Sequence, residues 1–172
     1  YPVLVIENTE LADQYRAGEY EPLSTEQAIT YCAFLKDWFE RHNIEVIRTG
    51  LQSTEELDSG TSLVAGPYEP AMGELVVNEQ YKQRIERCIN EHIESFIDKE
   101  LSQWNIWGQA NTYIALNISV FYPRSLTSKV RGLKNRNMLY FQEKYPHINI
   151  NWYEDSTRNT VRCCIDGLQY VL

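Results

Sequence analysis

Histidine, cysteine and glycine are sparse in this sequence, and their placement excludes more than their numbers do. The three histidines, His42, His92 and His147, lie far apart and form no HxxxH or HxxE pair, so no metal centre is expected from them. The four cysteines are Cys32, Cys88, Cys163 and Cys164. None has metal-ligand spacing, and a vicinal pair in a strand points to opposite faces. The plain reading is reduced, mostly buried thiols in a cytoplasmic protein. No glycine-rich phosphate loop and no nucleophile elbow occurs. No apolar run approaches the roughly 18 residues of a membrane span, so no membrane partner is expected. With a net charge of −8, the chain does not suit coating a nucleic acid or an anionic membrane with its whole surface.

What the chain does have is enough apolar residue (43% of 172) for a real core, in one ordinary domain or two small ones. It opens on Tyr1 and runs straight into Val3-Leu4-Val5-Ile6. That run lacks polar alternation, which suits a parallel strand covered on both faces. A chain that starts inside a strand is expected to be a piece of something longer. Thr9 can cap a short helix that Gly18 ends. Ser24-Thr25-Glu26-Gln27 is a capping box, and Ala28, Tyr31, Cys32, Leu35 and Phe39 follow at helical spacing as an expected core face. Ile44 to Arg48 reads as the next strand, which makes a right-handed parallel βαβ unit. The polar stretch STEELDSGTS reads as a mobile loop, and AGPYEPAMGELV as a turn that opens a second long helix.

The last third is organised differently. Ile114, Leu116, Ile118 and Val120 alternate with polar or small residues, as in a half-buried strand. Two short helices follow, to about Arg131 and over Asn135 to Tyr145. Ile148, Ile150 and Trp152 then alternate, as do Val161, Cys163 and Ile165. The order β-α-α-β-β suits a small antiparallel sheet with two helices on one face. The expected class is therefore α/β: a partial parallel barrel segment over 1–78, then a small α+β domain over 79–172 with a KH-like order.

Three segments carry a resemblance. They are YPVLVIENTELADQYRAGEYEPLS, then IEVIRTGLQ with AGPYEPAMGELV, then PRSLTSKVRGLKNRN. In this order they are similar to the C-terminal part of radical SAM enzymes of the oxygen-independent coproporphyrinogen-oxidase-like and elongator catalytic-subunit type. The resemblance implies an oxidoreductase whose upstream barrel holds a [4Fe–4S] cluster and S-adenosylmethionine. This chain would hold neither, because no C-x-x-x-C-x-x-C loop occurs in it. Its partner would be the upstream part of the barrel, which it would close while positioning substrate. Tyr68 stands where the resembled pattern has histidine, so no proton-transfer role is carried over to it.

Two sets of site residues follow. Arg48 and Gln52 sit at the C-terminal end of the expected strand, where barrel enzymes place their chemistry. They read either as substrate contacts or as a salt bridge and turn cap on the rim. Pro67, Tyr68 and Glu69 form a stiffened turn that either faces substrate or aims the next helix. No catalytic residue is assigned. The second set is a basic run without an acid, Arg124, Lys129, Arg131, Lys134 and Arg136, against −13 for the rest of the chain. Gly132-Leu133-Lys134-Asn135 falls between two helices, where KH domains carry a phosphate-clamping GXXG loop. The alternative function is thus a docking module for tRNA or another RNA. A plainly solvated basic face, a scaffold, or a homo-oligomer interface of the fragment remain open. The aromatic group Tyr113, Phe121, Tyr122, Tyr140, Phe141, Tyr145 and Trp152 is expected to be mostly core.

Overall fold

The computed structural model describes residues 1–103 and 116–172, with the side chains of 99–103 set aside. It is a mixed α/β structure that divides into two compact units, Tyr1–Gln80 and Tyr81–Leu172. Helix α4, Met72–Gln103, runs through the division. No helix among the described residues is long and apolar enough to cross a membrane.

In the first unit the local signals act where the sequence puts them. The Thr9 hydroxyl accepts from the Ala12 N–H and starts α1, Glu10–Ala17, and Gly18 ends it in a left-handed conformation. Ser24 and Gln27 cap each other's ends of the first turn of α2, Thr25–Arg41. The strands do not follow expectation. Strand β1, Val5–Ile6, pairs antiparallel with β2, Leu63–Ala65, so it is not part of a parallel βαβ unit. The stretch 44–48 has no regular structure, and Ile47 is 90% exposed. A strand exists only through a neighbour's hydrogen bonds, and among the described residues 44–48 is paired in neither sheet.

The buried face of α2 also differs from its apolar pattern. Ala28, Ala33 and Asp37 are buried, and Ala33 packs with Met72 and Val76 of α4 beside Ile29 and Cys32. Tyr31, Phe34, Leu35 and Trp38 are exposed. Their spacing puts all four on one stripe of the helix. Small side chains thus serve the unit's own core, and the large ones face outward.

The second unit has the denser core. Strands β3 (Asn117–Tyr122), β4 (Asn149–Glu154), β5 (Arg162–Ile165) and β6 (Leu168–Val171) form one sheet in the order β4-β3-β5-β6. The expected all-antiparallel sheet is corrected: β3 and β4 are parallel, from Asn117 beside Asn149 to Tyr122 beside Glu154. The two helices between them act as a crossover, which brings the second strand back in the same direction. These are α5, Thr127–Arg131, and α6, Arg136–Lys144. Along β3 the alternation puts Ile118, Val120 and Tyr122 into the core with Cys163 and Ile165 of β5, Ile85 and Ile89 of α4, Val130 of α5 and Phe141 of α6. The turn Asp166-Gly167 has both residues at positive φ, as a two-residue hairpin demands. Tyr113 and Ile114 lie outside the described residues.

Candidate functional site

In the first unit the AGPYEP turn is held by close backbone contact. A side chain at Gly66 (φ +105°) would meet the Val3 carbonyl oxygen at 3.0 Å and the Leu4 Cα at 3.2 Å. Pro67 is buried beneath it. The Tyr68 hydroxyl donates to Asp58 Oδ1 at 2.5 Å, and Ser53 Oγ donates to Asp58 Oδ2 at 2.5 Å. The Ser53 and Tyr68 hydroxyls hold the Asp58 carboxyl below its ordinary range, and donation to that carboxylate pushes the Tyr68 phenol up. Glu69 Oε1 accepts from the Ala71 N–H at 3.3 Å, just ahead of α4.

The turn therefore comes together with residues 50–58. Gly50 lies so close to α4 that a Cβ would sit 2.8 Å from the Met72 Cβ. Between Pro2, Leu4, Gly50, Leu51, Pro67 and Tyr68 the remaining crevice is only about 10 Å³, too small for an organic ligand. Arg48 and Gln52 are exposed and do not line it. Sequence reading missed Ser53 and Asp58, because the polar stretch looks like a free loop. Its one signal was Thr54, whose hydroxyl caps the single-turn helix α3, Glu55–Asp58.

In the second unit the basic run is split by its surroundings. Arg131 turns inward: its Nε donates to the Tyr122 hydroxyl at 2.5 Å and its guanidinium lies 5.4 Å from that ring's centre. Arg124, Lys129, Lys134 and Arg136 are exposed. The link between α5 and α6 has Gly132 at φ 75°, ψ 162°, Lys134 at φ 53° and Asn135 at φ 62°. The first is a conformation that essentially only glycine adopts. A Cβ there would also meet the Asn137 side chain at 3.0 Å. Asn137 is buried and donates to the Val130 carbonyl at 3.0 Å, which ties the link to α5. Asn135 precedes α6 without a side-chain capping bond. Of the aromatic group, Tyr122 and Phe141 are fully buried, while Phe121, Tyr140, Tyr145 and Trp152 are half-buried. Phe121 stacks on Tyr153 at 5.3 Å.

Residues 1–83 match the Radical_SAM C-terminal domain family. The match covers 83 of the 172 residues and ends within α4. No curated protein and no solved structure matches the chain.

The family implies a [4Fe–4S] cluster and S-adenosylmethionine for the whole protein. The residues of this chain do not fit the cluster. Among the described residues no group of three or more His, Cys, Asp or Glu side chains could hold a metal ion. Burial raises the Cys32 and Cys88 thiols and pushes Cys163 up to about 12, the opposite of what a thiolate ligand needs.

The Ser53–Asp58–Tyr68 cluster predicts a measurable titration. In Tyr68→Phe the Asp58 carboxyl, followed by carbon NMR, should titrate at higher pH than in the parent. Its depressed value stabilises the fold above the ordinary carboxyl range, and this contribution fades as pH falls through the lowered value. An unmoved Asp58 titration would show that the phenol does not hold the carboxylate in solution.

Proposed function

We propose that the chain is the C-terminal region of a radical SAM oxidoreductase of the oxygen-independent coproporphyrinogen-oxidase-like type. In this reading the first unit closes the barrel, and Arg48, Gln52, Pro67, Tyr68 and Glu69 face the substrate. The family match over 1–83 supports it. The observation that carries it is the apolar surface this stretch leaves uncovered: Val3, Tyr31, Phe34, Leu35, Trp38, Ile44 and Ile47 are all 45% exposed or more. Tyr31, Phe34, Leu35 and Trp38 share one stripe of α2; an exposed apolar stripe of this kind marks an interaction surface, and the upstream barrel is the partner that the match implies. Its place would be the cytoplasm, where free thiols such as those of this chain stay reduced.

The protein with its upstream region should cleave S-adenosylmethionine reductively after anaerobic cluster reconstitution. Arg48→Ala should lower kcat/KM for the substrate about tenfold while leaving the cluster absorbance unchanged, as expected for a lost charged contact. An upstream region without a C-x-x-x-C-x-x-C loop, or an Arg48 variant of full activity, would contradict this reading.

A second reading, a KH-like module that docks tRNA or another RNA, is favoured by the link between α5 and α6. It combines Gly132 and two left-handed residues with four exposed basic side chains. Backbone N–H groups at a helix start and nearby cations suit phosphates. Lys134→Glu combined with Arg136→Glu should weaken RNA binding uniformly across sequences and flatten its salt dependence by about two counterions. An unchanged slope in a normally melting variant would leave the run as a solvated face.

A further inference from the structure

Strand β4 is an outer strand of the second unit's sheet, and neither reading above uses its free side. The Asp155 N–H donates to the Tyr122 carbonyl at 2.8 Å. Backbone groups of successive strand residues point to alternate sides, so Asn149, Asn151 and Tyr153 bond towards β3. Ile150, Trp152 and Glu154 then turn their N–H and C=O groups outward. Among the described residues no strand meets them. Exposed edges are ordinarily blunted by lysine, proline or a bulge. The sequence NINWYE has neither residue, and its register with β3 runs unbroken from Asn149 to Glu154.

The surface beside this edge is apolar. A hollow of about 420 Å³ opens between α6 and β4, walled by Met138, Phe141 and Gln142 on one side and by Ile150 and Trp152 on the other. Phe141 and Trp152 lie 6.0 Å apart. Leu139, one turn from Gln142 on α6, is 60% exposed.

A free strand edge is satisfied by another polypeptide, because its N–H and C=O groups pair as a ladder. The sequence of β4 fits its own copy. Laid antiparallel about a twofold axis at Asn151, Ile150 faces the partner's Trp152, and Trp152 faces the partner's Ile150. Both pairs fall on the hollow's side of the sheet, and aromatic with β-branched pairs are favourable. Asn151 meets the partner's Asn151, Asn149 meets the partner's Tyr153, and no like charges are opposed. The same axis keeps the helices of both copies on one face, so each α6 brings Met138 and Leu139 towards the other.

We propose that β4 pairs with β4 of a second copy of this chain, joining the two sheets edge to edge and covering both hollows. Two strand edges alone fall short of the roughly 1,000 Å² that a specific interface needs. The hollow walls and the flanks of α6 are therefore part of the contact.

The test uses the 172-residue chain. In sedimentation velocity its mass should rise from one chain to two through the micromolar range. Asn151→Asp sets two carboxylates against each other at the axis and should weaken the dimer about tenfold or more. In amide exchange followed by NMR, Ile150, Trp152 and Glu154 should gain protection as concentration rises. Asn151 and Tyr153, already bonded towards β3, should not. Asn151→Cys, oxidised by air with copper phenanthroline, should join two chains through that position. Facing residues of a non-hydrogen-bonded pair have Cα atoms about 4.5 Å apart, within disulfide reach. Tyr153→Cys, which would face the partner's Asn149, should not cross-link.

A monomer at every concentration would overturn the proposal. So would a dimer that keeps its affinity in Asn151→Asp or cross-links as well through Tyr153→Cys, since its contact would lie elsewhere, as on the exposed stripe of α2. If Asn151→Asp fails to fold, the exchange pattern and the cross-link decide. Protection of Ile150, Trp152 and Glu154 that does not depend on concentration overturns the pairing.

Discussion

Residues 1–80 carry more large apolar side chain than they can bury, and this imbalance governs how the chain is to be understood. Their core is built from Ala12, Ala28, Ala33, Met72 and Val76 with Leu4 and Val5, mostly small residues. Tyr31, Phe34, Leu35, Trp38, Ile44 and Ile47 face water instead. Each fully buried side chain of this size is worth about 1.5–3 kcal/mol relative to exposure. Covering the stripe would therefore contribute as much free energy as an ordinary domain's whole net stability. A partner that covered these side chains would change the energetics of this unit more than any single internal contact does.

The second unit centres on larger buried side chains, although it too leaves Leu133, Leu139, Leu168 and Val171 exposed. Ile118, Val120 and Tyr122 are fully buried between neighbouring strands on both sides and the helices above. Its surface carries the basic run and a hollow along α6 and β4. Polar ties around the core are specific: Tyr140 donates to Glu86 at 2.9 Å, Lys144 bonds the same carboxylate, and Tyr145 donates to Asn90 at 3.1 Å. These link α6 and Tyr145 to α4 and fix the helix that lines the hollow.

Much of this was legible in the sequence, and the failures share a cause. The caps at Thr9, Ser24 and Gly18 rest on bonds within a few residues, and the structure has them. The alternation along β3 gave its buried face for the same local reason. What sequence misjudged depends on neighbours far along the chain. Ile44 to Arg48 has strand composition but no strand beside it, and β1 found β2 rather than a parallel partner. The direction of β4 was set by the α5–α6 crossover, which periodicity does not report. Among site residues, Tyr68 was placed by its turn, while its partners Ser53 and Asp58 lay hidden in a polar stretch without periodicity. Arg131 was counted with the outward cations, although a tyrosine ring in the core captured it.

The account stands or falls on whether residues 1–80 are completed by an upstream barrel. Amide hydrogen exchange, compared between the 172-residue chain and the protein carrying its upstream region, addresses this directly. The account predicts that amides of residues 44–48, which have no regular structure, exchange fast in the short chain and become strongly protected in the long protein, because they gain a strand partner. Amides of β3 should be equally protected in both. Equal exchange at 44–48 in the two proteins, or protection in the short chain that grows with its own concentration, would contradict it.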